Sequence, residues 1–136
     1  EMFYHALRYG RYTCFLSADT RLDMMYMPDA ISGMINLMAA DEKRLRYRNA
    51  YNITAMSVTP DEIAAAIRAR MPSFEIDYDV DPVRQAIADS WPRSLDDSAA
   101  HADWDWSPRF DLGAMTADML ARLDEKLKLP SRKKRS

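Results

Sequence analysis

The sequence predicts an α/β fold in which several helices are combined with a few short strands. Short apolar runs such as "YTCFLS" are rich in aromatic and β-branched residues and are bounded by polar segments, as strands are. Longer segments repeat apolar residues every three or four positions, which is typical of helices. With 136 residues, of which 48% are hydrophobic and 29% charged, the chain is long enough to bury one core. We therefore expect a single folded unit over residues 1–129.

In the first half of the chain, the elements are predicted in the order helix, strand, strand, helix, strand. The opening "EMFYHALRYG" reads as a helix without a capping residue ahead of it, so we expect the chain to begin inside a longer protein. "YTCFLS" and "MMYMP" are the first two strands, joined by the polar "ADTRLD". From Pro28 onward a helix is predicted, and "AYNIT" is predicted to be another short strand. The one apolar face of that helix consists of Ile31, Met34, Ile35 and Met38.

The second half opens with the best-marked helix start in the sequence. Thr59 is an N-cap candidate, Pro60 fits the first helical position, and Glu62 is placed for a reciprocal capping box. "SFEIDYDV" alternates apolar and polar residues as a half-buried strand does. A helix carrying Arg84, a short helix after "DDS", the compact aromatic loop "DWDWSPRFD" and a final amphipathic helix complete the prediction. The buried side of the capped helix is predicted to carry Ile63, Ile67 and Met71.

The segment "QAIADSWPRSLDDS" places a tryptophan where a helix must end. The helix is predicted to bury Ala86, Ile87 and Ala88 and to stop before Pro92, because proline disfavours the α conformation of the residue that precedes it. The ring of Trp91 then projects from the junction between two elements. On the residues alone it is either a plug in the core, the commoner role of a buried tryptophan, or a lid over a pocket.

Arg84 is the second candidate site residue of this segment. It lies seven residues, or about two helical turns, before Trp91. If the helix continues over this distance, the two side chains lie on the same face. A guanidinium group on that face could bind an anionic group in a cleft through charge-assisted hydrogen bonds. The alternative is a surface ion pair with Asp79 or Asp81.

Several kinds of site are not supported by the composition. The three glycines, Gly10, Gly33 and Gly113, lie far apart, so no glycine-rich turn is available to hold a phosphate. Two histidines and the single Cys14 lack the spacing of metal ligands or of a Cys–His nucleophile. The lone cysteine, together with the lack of any apolar run of about 18 residues, predicts a reducing, aqueous compartment.

Charge is divided between an acidic body and a basic tail. The formal net charge is −2, and the four cations at positions 132–135 leave −6 on the residues before them. Because no aromatic residues accompany these cations, we expect a solvated, disordered tail over residues 130–136 and no contact with nucleic acid or membrane. Asp96 and Asp97 have the position of helix caps. Asp103 and Asp105 flank a tryptophan in a predicted surface loop, where acid–base work by the pair stays open.

Four blocks of the sequence occur in the order found in one enzyme family. "YTCFLSADTRLDMMYMPDAI", "YNITAMSVTPDEIA", "RQAIADSWPRSLDDSAA" and "DWDWSPRFDLGAMTADML" together resemble the C-terminal part of the NAD-dependent, epimerase-like L-threonine 3-dehydrogenases, which are extended short-chain dehydrogenases. The resemblance implies a small substrate lobe, whose Rossmann lobe, with the glycine-rich cofactor turn and the Tyr-x-x-x-Lys pair, is absent from this chain. In keeping with this, no tyrosine of the sequence is followed by a lysine four residues later.

The resemblance also implies roles for the two candidate residues. Trp91 would cover the side chain of L-threonine and exclude water, which favours the lid over the plug, and Arg84 would contact an anionic group at the cleft. No catalytic, cofactor-binding or metal-binding residue is expected in this chain, and NAD would be bound by the N-terminal Rossmann lobe. The intact enzyme would oxidise L-threonine to 2-amino-3-ketobutyrate as a homodimer in the bacterial cytoplasm or the mitochondrial matrix.

A second hypothesis is a truncated or split homologue that serves as a non-catalytic structural or interaction subunit. In either case, a lobe separated from its parent sheet should expose a broad apolar surface. The sequence also departs from the family at one turn, where relatives usually read Trp-Gly-Trp-x-Pro and this chain has "WDWSP". Asp105 must then adopt the left-handed conformation that glycine would supply, and aspartate tolerates it better than most residues.

Overall fold

A computed structural model describes residues 1–128 as six helices and four short strands, and the predicted tail at residues 130–136 lies outside the described residues. In chain order the elements are α1 Met2–Tyr9, β1 Arg11–Cys14, β2 Leu22–Met24, α2 Met27–Ala39, β3 Met56–Val58, α3 Pro60–Arg68, β4 Glu75–Tyr78, α4 Pro82–Asp89, α5 Ser98–Trp104 and α6 Leu112–Lys128. The predicted α/β class is confirmed.

The strands form two separate two-stranded sheets. β1 and β4 are parallel, with Tyr12 opposite Ile76. Parallel strands require a long crossover connection, and here it contains β2, α2, β3 and α3. β2 and β3 are antiparallel, with Leu22 opposite Val58. Residues 1–128 therefore contain no doubly wound parallel sheet of the kind that binds nucleotides.

The main core lies between the parallel strand pair and helices α1, α3 and α6. Ile67 of α3 is fully buried, and Ile63 and Met71 pack against the same core, as the helical spacing predicted. The predicted capping box is also present: the backbone N–H of Glu62 donates to Thr59 Oγ1 at 3.2 Å, and the Glu62 carboxylate accepts from the backbone N–H of Thr59 at 2.8 Å.

A second apolar cluster holds the aromatic loop against α2. Trp104 and Trp106 are buried beside Ala100, and Ile53 packs on them. α2 approaches so closely that a Cβ atom on Gly33 would lie 2.7 Å from Ile53 Cδ1 and 3.0 Å from the Trp106 ring. A larger residue at this position would therefore require the end of the Ile53 side chain to shift and the Trp106 ring to move by a few tenths of an ångström.

Two strand predictions are wrong in position. β2 ends at Met24, ahead of most of "MMYMP", because Tyr26 is already the N-cap of α2. "AYNIT" is not a strand, and β3 begins only at Met56. In this segment the chain hydrogen-bonds to side chains instead of a neighbouring strand: Thr54 N–H donates to Asp97 Oδ2, and Trp106 Nε1–H donates to the Thr54 carbonyl.

The burial of α4 differs from prediction, and the apolar face predicted for α2 is exposed. In α4 only Ala88 is buried, whereas Ala86 and Ile87 are exposed, because the helix rests on the rest of the fold by one edge. In α2 the buried positions are Asp29 and Gly33, and the apolar stripe faces outward. The exposed fractions in this stripe are 46% for Ile31, 57% for Met34, 54% for Ile35 and 79% for Met38.

Candidate functional site

Helix α4 is fixed at its start by a capped turn and at its end by Trp91. The Asp81 carboxylate accepts hydrogen bonds from the backbone N–H groups of Val83 and Arg84 at 2.9 and 3.1 Å, and Pro82 occupies the first turn. At the other end, the Trp91 N–H donates to the Ala88 carbonyl at 3.1 Å. Trp91 is therefore still tied to the last turn, and its ring is held close to the helix.

A cavity of about 280 Å³ lies between α4 and the segment that follows β1. Its lining is almost wholly apolar and consists of Phe15, Leu16, Leu22, Arg84, Ile87, Ala88 and Trp91. Both candidate residues of the sequence, Arg84 and Trp91, thus border one cavity. We call it the α4 pocket.

Trp91 borders this pocket and also a second, polar one. A second cavity of about 260 Å³ borders Trp91 and Ala88 and is otherwise lined by Asp19, Thr20, Arg21, Gln85, Asp89 and Arg93. Trp91 is 59% exposed, whereas Trp106 is 2% exposed. The ring is therefore not a plug in the core of this chain, and the plug interpretation is wrong for residues 1–128.

Arg84 makes the surface ion pair with Asp81 that the sequence left open, and its guanidinium also lies against the wall of the pocket. Its guanidinium carbon lies 4.4 Å from the centroid of the Phe15 ring, at the wall of the pocket. Its Nε atom lies 3.8 Å from Asp81 Oδ2, a distance near the upper limit for an ion pair. Because the Arg84 side chain is 58% exposed, its remaining N–H groups face water and are available to an anion.

The α4 pocket can bind and orient a small molecule but cannot transfer its protons. The lining offers apolar surface, two aromatic rings and one permanent cation. None of the lining residues is a carboxylate, histidine, cysteine, tyrosine or lysine that could act as an acid, a base or a nucleophile. A reaction in this pocket therefore needs groups from outside it.

Comparisons with known proteins identify the fold. No family model matches the chain. It is 50% identical, over 126 residues, to an uncharacterised epimerase/dehydratase of Staphylococcus haemolyticus, of which it spans 40%. Among solved structures, the L-threonine dehydrogenase of Phytophthora infestans is 53% identical, with a TM-score of 0.88 over 92% of this chain and 40% of that one. The L-threonine dehydrogenase of Clostridium difficile is 51% identical, with a TM-score of 0.89 over 92% of this chain and 39% of that one.

The chain matches a C-terminal part of the epimerase-like L-threonine dehydrogenases. It spans about 40% of the length of these relatives and corresponds to their small C-terminal lobe, as the sequence predicted. An ADP-L-glycero-D-manno-heptose-6-epimerase of Helicobacter pylori, 16% identical with a TM-score of 0.71, shares the fold alone.

The acidic pair near the aromatic loop has a structural role. Asp103 is buried at the end of α5, where Arg46 donates to its Oδ1 at 2.7 and 2.9 Å and the Tyr51 hydroxyl donates to Oδ2 at 2.6 Å. These hydrogen bonds lower the pKa of Asp103 to about 2. With this low pKa, Asp103 is not a proton donor at neutral pH and is only a weak base, and both of its oxygens are held by Arg46 and Tyr51, so a structural role fits it better than acid–base work.

Asp105 has the conformation that the sequence predicted. Its φ is 58° and its ψ 33°, which places it in the left-handed region at the C-terminus of α5. Its carboxylate accepts a hydrogen bond from Arg44 at 2.8 Å. The two cap candidates differ: Asp96 Oδ1 accepts from the Ser98 N–H at 3.0 Å, whereas Asp97 accepts from Trp106 Nε1 instead of capping the helix.

Two features of the α4 pocket were not found from the sequence. Phe15 and Leu16 form the wall of the pocket opposite α4, although about 70 residues separate them from Arg84. Gln85, next to Arg84, bonds to this same segment. No local pattern signals either contact, because each depends on the parallel pairing of β1 with β4.

Within residues 1–128, no three His, Cys, Asp or Glu side chains come together as a possible metal site. None of the six helices there is both long and apolar enough to cross a membrane.

Proposed function

We propose that this chain is the substrate-closing lobe of an enzyme that oxidises L-threonine to 2-amino-3-ketobutyrate with NAD, and that Trp91 and Arg84 contact the substrate. One observation carries the proposal: Arg84 and Trp91 border the same open, apolar pocket, although neither is needed in the core. The relatives of Phytophthora infestans and Clostridium difficile, both more than half identical, are named L-threonine dehydrogenases.

The two residues suit different parts of a small amino acid. The Trp91 ring covers the methyl group of L-threonine and removes water from the neighbourhood of the hydroxyl-bearing carbon. The Arg84 guanidinium binds the carboxylate, since it is permanently charged and has free N–H donors at the rim of the pocket. Together they orient the substrate by its two ends.

NAD binding belongs to another part of the enzyme. Gly10 ends α1, Gly33 lies within α2 and Gly113 within α6, so the described residues provide no glycine turn for a pyrophosphate. The cofactor therefore does not fit residues 1–128. We assign it, with the proton-transferring groups, to a nucleotide-binding Rossmann lobe.

The outward-facing stripe of α2 supports the presence of that second lobe. Met27, Ile31, Met34, Ile35 and Met38 are each between 46% and 79% exposed on one helix. A continuous apolar helix face of this kind usually marks an interface, as we expected for a lobe removed from its parent sheet. Because the chain spans only about 40% of its relatives, the nucleotide-binding lobe is the partner that we place there.

The proposed activity is tested with the full-length gene product. Purified protein is mixed with NAD and L-threonine, and NADH is followed at its absorbance. We expect NADH formation that depends on L-threonine and not on D-threonine at the same concentration. NADH formed with a hydroxy acid, or conversion of a sugar nucleotide, in the absence of any reaction with L-threonine would contradict the proposal.

A second candidate function is a split or truncated homologue that acts as a non-catalytic interaction subunit. The exposed α2 stripe favours it as well, because the stripe suits any apolar partner. The gene sequence upstream of Glu1 separates the two candidates: a glycine-rich turn and a Tyr-x-x-x-Lys pair in the same reading frame support the enzyme. The homodimer and the compartment, bacterial cytoplasm or mitochondrial matrix, stay predictions; one relative, 40% identical, is named a monomeric enzyme.

A further inference from the structure

The α4 pocket has two walls that come from distant parts of the chain. One wall is α4 with Arg84, Ile87 and Ala88, and the other is the segment after β1 with Phe15 and Leu16. Near the start of α4, backbone hydrogen bonds join the two walls, from Asp79 N–H to the Cys14 carbonyl at 2.9 Å and from Asp81 N–H to the Phe15 carbonyl at 3.0 Å. Beyond this point the two walls are not paired as strands and share no further backbone hydrogen bonds of this kind. The distance between them therefore depends on side-chain contacts.

Gln85 supplies the side-chain connection between these walls. Its Oε1 accepts hydrogen bonds from the Ser17 N–H at 2.9 Å, from Ser17 Oγ at 3.1 Å and from Thr20 Oγ1 at 3.2 Å. Its Nε2 donates to Thr20 Oγ1 at 3.0 Å and to Asp89 Oδ1 at 2.7 Å. Thr20 is buried, with 7% of its surface exposed. We call this set of contacts the Gln85 bridge.

The bridge needs an amide group and not merely a polar one. The oxygen end must accept from a backbone N–H, and the nitrogen end must donate to the Asp89 carboxylate. A carboxylate at position 85 would keep the first interaction but would place a second negative charge 2.7 Å from Asp89. An aliphatic side chain would lose both and would leave the Ser17 N–H without this acceptor.

We propose that Gln85 is a positioning residue, which sets the distance between the two walls of the α4 pocket and thereby the placement of Arg84 and Trp91. This rests on the proposed function only for its substrate, because the bridge acts on the pocket whatever the ligand. Arg84 precedes Gln85 directly, and Trp91 lies two residues beyond the end of α4 with its N–H bonded to the Ala88 carbonyl, so a shift of α4 moves both. Displacement of positioning groups by about 1 Å can lower a rate by about a hundredfold.

The test uses three variants of the full-length protein and one matched control. Gln85→Met removes the hydrogen bonds at similar volume. Gln85→Glu replaces the amide N–H donor with a carboxylate oxygen, which can only accept. In the double variant Gln85→Glu with Asp89→Asn, the new amide at position 89 can donate to the new carboxylate at position 85, so the direction of this hydrogen bond is reversed. Val83→Ala is the control, because Val83 is 69% exposed on the same helix and outside the pocket lining.

We expect kcat/KM for L-threonine to fall about tenfold in Gln85→Met and further in Gln85→Glu, and to recover to within about threefold of the parent in the double variant. The KM for NAD should not change. In a Trp91→Ala background, Gln85→Met should lower kcat/KM by clearly less than the tenfold expected in the parent, because only the placement of Arg84 is then left for the bridge to affect. A purely structural role predicts instead equal losses in both backgrounds and no recovery, and that result would overturn the proposal.

A second readout separates failure of the bridge from failure of the proposed function. Acrylamide quenching of tryptophan fluorescence is measured without substrate, and the Trp91 contribution is obtained by subtracting the signal of Trp91→Phe. We expect Gln85→Met to change this contribution and Val83→Ala to leave it unaltered. A changed signal in a protein that does not oxidise L-threonine supports the bridge and refutes the proposed substrate. An unchanged signal, with unchanged turnover of L-threonine, refutes the bridge alone.

Discussion

The substitution Trp91→Ala distinguishes a residue that covers the substrate from one that supports the fold. Trp91 is 59% exposed, so about two-fifths of its surface is covered by the rest of the chain. A tryptophan buries about 150–250 Å² when it is fully packed, and two-fifths of that area is worth about 1.5–2.5 kcal/mol of folding free energy. This is the upper bound for the loss of stability in this variant.

The buried Trp106 provides the comparison for stability. It is 2% exposed and packs against Ile53, so Trp106→Ala should cost about 3–5 kcal/mol of folding free energy. Urea unfolding of both variants, followed by circular dichroism, measures these losses. We expect Trp91→Ala to be clearly the more stable of the two.

Activity is expected to rank the two variants in the opposite order. Loss of the ring that covers the substrate should lower kcat/KM for L-threonine about a hundredfold, which is about 2.7 kcal/mol at the transition state. Trp106→Ala, assayed at a temperature where it is folded, should keep most of its activity. The affinity for NAD is the internal control and should be unchanged in Trp91→Ala. A Trp91→Ala protein that unfolds many degrees early but oxidises L-threonine normally would refute the reasoning.

Three further predictions concern stability. Hydrogen bonds hold the pKa of Asp103 at about 2, so the ionised side chain stabilises the fold fully above the ordinary carboxyl pKa of about 4. This part of the free energy of unfolding should be lost as the pH falls from about 4 to about 2. Urea unfolding at a series of pH values should show the loss, and Asp103→Asn should not show it. Thr59→Ala breaks the capping box and should cost about 0.5–2 kcal/mol in the same assay, whereas a loss below that range would mean that the cap is unimportant. Asp105→Gly relieves a left-handed conformation and should raise stability by up to about 1 kcal/mol, because the Arg44 ion pair that it sacrifices is exposed; lower stability would show that the ion pair matters more.

The structural features that could be predicted from the sequence are those that a few neighbouring residues determine. Thr59, Pro60 and Glu62 specify the start of α3 because all three act within one turn. Asp105 was placed in the left-handed region by the resemblance to relatives with glycine at this turn, and its φ of 58° confirms that prediction. The seven-residue spacing of Arg84 and Trp91 likewise brought the two residues to one cavity.

The features that could not be predicted depend on distant partners. Periodicity identified α2 as a helix with an apolar face, but whether Ile31 and Met34 are buried depends on what packs against them, and in this chain they are exposed. The strand predicted at residues 50–54 failed because these residues bond to side chains of the aromatic loop region. Phe15, the wall of the α4 pocket, could not be assigned because it approaches Arg84 only through a parallel strand pair.

The central claim is that the α4 pocket closes on L-threonine. The most direct measurement is a crystal structure of the full-length protein with NAD and an unreactive analogue of L-threonine. We expect the Trp91 ring in van der Waals contact with the analogue, at about 4 Å, and the Arg84 guanidinium hydrogen-bonded to its carboxylate. An analogue bound between the lobes, with Trp91 and Arg84 both turned to solvent and away from it, would show that the pocket does not close on the substrate.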